Sequence, residues 1–167
     1  MSRGFNMARP NPLLKMMQEP LPSITFQKRK LYRPDIDEVN YIYNKVNKYV
    51  FNNELARPPI TLGHYKGFWG ECTGHDEFTN RGTYCTIKIS KSWFCLQWLV
   101  TTIAHEMAHQ YEWDILGDWH EHNGQDRRMT HRQAFFTHKA IMAKYGISLK
   151  TAHSQRKWFK YQDFSKC

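Results

Sequence analysis

The chain has 167 residues, 41% apolar and 15% aromatic, with 24 Lys and Arg against 15 Asp and Glu. That suffices for one compact domain with a sizeable core, and it argues against a disordered chain. The formal charge of +9 favours polyanionic partners, nucleic acid being the commonest, although basic charge also serves solubility. Among Cys72, Cys85, Cys95 and Cys167 no Cys-x-x-Cys pair occurs, which excludes a zinc ribbon. So few cysteines imply reduced thiols and a cytoplasmic location. The most apolar stretch, Trp93 to Ala104, is too short for the roughly 20 residues of a membrane span, and no signal peptide is apparent. The expectation is a protein free of the membrane.

Residues 1–30 read as an extended arm, punctuated by Pro10, Pro12, Pro20 and Pro22 and carrying the basic cluster Lys28, Arg29, Lys30. A domain is expected over 31–150 and a basic aromatic tail over 151–167. Asp35 is a helix N-cap with a carboxylate three residues on, and Ile36, Val39, Tyr43, Val46 and Val50 recur at helical spacing. That helix is expected to end near Asn52 and Asn53. Three short strands follow: Ile60 to Leu62, the Gly-flanked Gly67 to Gly70, and Thr83 to Ile89, with a polar loop from Thr73 to Arg81. Leu96, Leu99, Val100, Ile103 and Met107 mark a second helix running to His109 or Trp113, with a polar loop from Gly117 to Met129 after it. Thr130 to Gln133 is a capping-box pattern opening a third helix, closed by Gly146. The tail interleaves Arg156, Lys157 and Lys160 with Trp158, Phe159 and Tyr161, a pattern that suits either single-stranded nucleic acid or a wrap over the core.

His105-Glu106-Met107-Ala108-His109 is a His-Glu-x-x-His pattern inside the apolar second helix. Residues four apart lie on one helix face, about 6 Å apart along the axis, so two imidazoles can converge on one zinc ion. Glu106 is carried beside it, where a carboxylate can act as general base. Zinc needs a third protein ligand with the fourth position left open. A metzincin would place Gly and His where this chain has Glu112 and Ile115, which excludes that class. A thermolysin-like Glu could only be Glu121, or Glu112 read as a non-helical option. Four histidines remain within reach: His120, His122, His131 and His138.

Three stretches resemble the SprT-like metallopeptidases, the group of bacterial SprT and eukaryotic Spartan proteases. They are Tyr49 to Leu55, Gly82 to Ser90, and Thr101 to His109. The family's next helix opens on a His-Gly-x-x-Phe-like segment whose His is the third ligand; here it is His131-Arg132-Gln133-Ala134-Phe135, with Arg132 in place of Gly. His131 also falls at the start of the helix expected after Thr130. The resemblance, over about residues 35 to 150, implies an α+β, zincin-like fold. Such a fold has a small, mostly antiparallel sheet packed against helices, including the active-site helix and a following one bearing the third ligand. It further implies a zinc endopeptidase with His105, His109 and His131 as ligands and Glu106 as catalytic base, acting on DNA-associated or DNA-crosslinked proteins. The family's usual ribbon is missing, as in short forms encoded by bacteriophages, so DNA contact, non-specific and single-stranded, would rest on arm, tail or a partner. The strand over 83–89 is the expected edge for pairing with substrate, and His138 and Tyr145 are candidates for oxyanion stabilisation. The competing expectation is a catalytically silent zinc-binding adaptor or phage assembly protein with nucleic-acid affinity. His64, His75 and His153 read as surface groups, Cys85 and Cys95 as core thiols, Met107 as core, and Phe135 as packing under the zinc helix. Trp69 reads as a core or cleft ring.

Overall fold

Asp35 starts helix α1 (Ile36–Val50) with a reciprocal cap: Glu38 N–H donates to Asp35 Oδ1 at 2.8 Å and Asp35 N–H to Glu38 Oε2 at 3.0 Å. The computed structural model describes residues 33–75, 84–93, 96–117 and 131–151. The expected arm and nearly all of the tail, with His153, Cys95 and Cys167, lie outside them, as do His120, His122 and the Thr130 cap. Helix α1 buries Val39, Ile42, Tyr43, Val46 and Val50, whereas Ile36, expected on that face, is 40% exposed in the first turn. The helix stops where Asn52 and Asn53 take φ of 53° and 60°, a region asparagine tolerates better than most residues. The turn is closed by Asn47, whose Nδ2 donates to Leu55 O at 2.7 Å and whose Oδ1 accepts from Leu55 N–H at 3.2 Å.

The described strands, β1 (Ile60–Gly63), β2 (Gly70–His75) and β3 (Tyr84–Ser90), form a three-stranded sheet in the order β1-β3-β2. The strand expected over 83–89 is therefore central rather than an edge, because both neighbours pair with it. The sheet is mixed rather than mostly antiparallel: β1 runs parallel to β3 and β2 antiparallel. Parallel β1 and β3 cannot be joined by a tight turn, and the intervening chain supplies the outer strand β2. That strand also departs from expectation, running from Gly70 through His75 into residues read as loop. Its pattern is hidden because Gly74 stands where a side chain cannot. A Cβ there would lie 2.5 Å from the Trp113 ring. Gly74→Ala should lower stability by about 1–3 kcal/mol through overpacking, read as a fall in the denaturant midpoint. An unchanged midpoint would mean that the indole can swing aside.

Helix α2 (Leu96–Asp114) ends one residue beyond Trp113, the longer of the two expected limits. It is buried nearly all round, with Trp98, Leu99, Ile103, Ala104 and Met107 at or below 1% exposure, as suits a helix held between a sheet and other helices. Trp69 is partly buried and packs against the core, its ring centred 4.4 Å from Trp98 and 5.4 Å from Trp93. Cys72 and Cys85 are buried free thiols; the hydrogen bond to Cys85, together with burial, pushes the Cys72 thiol well up. The single third helix expected from Thr130 is instead a 3-10 turn (Ala134–Phe136) followed by short α3 (Lys139–Lys144). The two pieces part at His138, whose φ of −95° and ψ of 8° leave the helical path. Gly146, at φ 72°, closes α3 as expected. Among the described residues no helix is long and apolar enough to cross a membrane.

Candidate metal centre

Helix α2 is anchored before it presents any chemistry. The Tyr43 hydroxyl of α1 donates to Gln110 Oε1 at 2.8 Å, and Gln110 Nε2 donates to Ala56 O at 2.7 Å and to Asp114 Oδ2 at 2.8 Å. Gln110 is fully buried, so this polar network fixes the rotation of the helix one residue beyond His109.

His105 and His109 lie one turn apart on α2, both buried, their rings edge to face with centroids 5.1 Å apart. His131 approaches from the segment ahead of the 3-10 turn, its Nε2 3.1 Å from His105 Nε2. One ring nitrogen from each of the three lies within 4.8 Å of the others, so the group could hold a metal ion. Two nitrogens bound to one tetrahedral zinc stand about 3.3 Å apart, given zinc–nitrogen distances of about 2.0–2.1 Å. The His105–His131 separation is close to that. Burial first, and then the nearby His109, lower the His131 pKa, while Glu112 opposes them. The net effect favours the neutral imidazole that a metal requires. Phe135 floors the group, its ring centred 4.8, 4.5 and 4.7 Å from those of His105, His109 and His131. It packs under the helix as expected.

Glu106 is buried, and loss of hydration pushes its carboxyl up to about 8, against a hydrogen bond from the Cys72 backbone N–H. The register explains that bond. Ile87 donates its N–H to Pro59 O, toward β1. Its partner Cys72 therefore turns amide and carbonyl away from β3, to the outer edge of β2. Gly70 and Gly74 share that orientation. The carboxyl thus sits against the outer edge of the sheet, and Gly70 leaves the room: a Cβ there would lie 2.8 Å from Glu106 Oε1 and 2.7 Å from Thr102 Cγ2.

Glu112 is on the helix, not beyond it, and is 5% exposed. It accepts a hydrogen bond from His109 Nδ1–H at 3.3 Å, so it lies behind that ring and not among the grouped nitrogens. Sequence reading missed this role, although the i,i+3 spacing from His109 on a longer helix would have revealed it. His138 is also outside the group. Its ring is packed by Phe51 at 4.5 Å and Tyr111 at 4.4 Å, and burial lowers its pKa against the pull of Glu54. Tyr145 packs on Tyr49 at 5.9 Å. Neither candidate for the oxyanion touches the histidine group in any contact described. His64 is exposed and His75 lies half-buried against Thr86 and Tyr84.

The donors present suit a divalent cation. Three imidazoles converge, the acids Glu106 and Glu112 on the same helix are buried, and Glu112 Oε1 is a buried oxygen without a hydrogen bond. A positive charge among them offsets the cost of burying those acids. No family model matches the chain, and no curated protein matches it.

Proposed function

We propose that this chain is a zinc-dependent endopeptidase, a short SprT-like protein of zincin type that works in the cytoplasm on DNA-associated or DNA-crosslinked proteins. The observation that carries the reading is the convergence of His105, His109 and His131 within 4.8 Å, with Glu106 the buried neighbour of His105 on α2. An all-imidazole set with room for one more ligand favours zinc over the oxygen-seeking magnesium and calcium. When bound, zinc would polarise the scissile carbonyl and acidify a water. Glu106 then takes the proton of the attacking water and returns it to the leaving amine. Cys72 already gives its N–H to Glu106 and Gly74 is buried against Trp113, so the half-buried start of β2 at Gly70, beside Glu106, takes the docking role first expected of the 83–89 strand.

The nucleic-acid part of the proposal rests on charge. Arg3, Arg9, Lys15, Lys28, Arg29 and Lys30 of the arm face one acid, Glu19, and the tail adds Arg156, Lys157 and Lys160 among aromatic residues. The test is cleavage of an unfolded protein by the zinc-loaded chain, with and without single-stranded DNA, and after chelation. Cleavage is expected only with metal, faster with DNA, and less so as salt rises. Zinc binding with no cleavage under any condition would leave the silent adaptor instead.

A further inference from the structure

Glu112 has a chemical position that the reaction outlined above does not use. It follows His109 by three residues on α2, so both side chains share one face of the helix. Each is 6% exposed, and among the described residues the Glu112 side chain has one hydrogen bond, accepted through Oε2 from His109 Nδ1 at 3.3 Å. Its second oxygen, Oε1, is buried without a partner. A carboxylate held this way by a single neutral donor is poorly compensated. It becomes well placed once positive charge stands on the far side of the imidazole, because a ring bound to a cation through Nε2 polarises its Nδ1–H toward the carboxylate.

We propose that Glu112 is a positioning residue for the metal centre: it fixes His109 as the Nδ1–H tautomer, presents Nε2 to the ion, and balances the ion's charge through the ring. This rests on the metal-centre reading. A carboxylate can only accept, so Nδ1 must carry the proton and the lone pair falls on Nε2. The same contact holds the ring's orientation in the metal-free protein, ready for binding. Partners of this kind govern metal affinity by about 10- to 100-fold.

Two variants separate the charge from the hydrogen bond. Glu112→Gln keeps an acceptor for Nδ1–H and removes the charge; Glu112→Leu removes both. In the metal-free proteins, nitrogen NMR of the histidine rings should show the Nδ1–H tautomer at His109 in the wild type and in Glu112→Gln. In Glu112→Leu the Nε2–H form should appear. Zinc affinity, measured by competition with a chelator, should fall about 10- to 100-fold in both variants. Thermal unfolding of metal-free Glu112→Leu should come no lower than wild type, since an uncompensated buried acid is gone. A merely structural role for Glu112 would instead lower that unfolding temperature. Wild-type zinc binding with both variants within about threefold would overturn the role of Glu112 and leave the metal centre standing. A wild type that binds no zinc would remove the metal centre and this role together.

Discussion

Replacing His131 with alanine should empty the metal site and end proteolysis in one step while leaving the fold intact. Among the described residues His131 contributes one of three nitrogens in the group and is the one not carried by α2. With two histidines one turn apart, zinc would keep half of a tetrahedral shell, fewer protein ligands than catalytic sites use. The loss of affinity should exceed the roughly 100-fold that removing an orienting partner costs. His131 is only half-buried and lies outside regular secondary structure, so its truncation opens no large cavity and the unfolding midpoint of the metal-free protein should stay near wild type. Metal content after dialysis against a weak chelator decides the matter. Retention of a full equivalent of zinc by His131→Ala would show that another residue supplies the third ligand. His138 is poorly placed for that, packed against Phe51 and Tyr111.

Glu106→Gln should do the opposite, keeping zinc while lowering cleavage by about 10²- to 10⁴-fold, the usual contribution of a general base. Glutamine has nearly the same volume, which matters because the space beside Gly70 and Thr102 admits little else. Its amide oxygen can still accept from the Cys72 backbone N–H that the carboxyl accepts from now. Local structure should therefore persist, and the change isolates the proton acceptor. Equal zinc content with near-normal turnover would refute the role assigned to Glu106. A substitution that lost zinc as well would point instead to a general collapse of the site.

The parts of this site that one helix carries were legible in the sequence, because helical periodicity converts spacing directly into a shared face. His105, Glu106 and His109 needed only that rule. His131 needed the family resemblance: its distance from His105 depends on how the chain returns to α2, which no local pattern encodes. The reading of one continuous helix after Thr130 failed because the backbone leaves the helical path at His138, a turn that no residue there announces. Strand β2 was misplaced because glycine at 70 and 74 erases the alternation by which strands are recognised, and those glycines answer to Glu106 and Trp113, distant in sequence. The order of the strands was likewise hidden. Thr83 to Ile89 reads as a strand from composition alone, but whether it ends up inside or at the rim depends on where β1 and β2 settle.

On the proposed reading, docking at the start of β2 also limits what the protein can discriminate. Peptide groups are the same in every chain, so a substrate gripped through its main chain at Gly70 is chosen for being straight and slack, not for its residues. Well-folded bystanders would escape because their backbones are already engaged. Selectivity would then lie in delivery: which loosened polypeptide is brought within reach, and for how long.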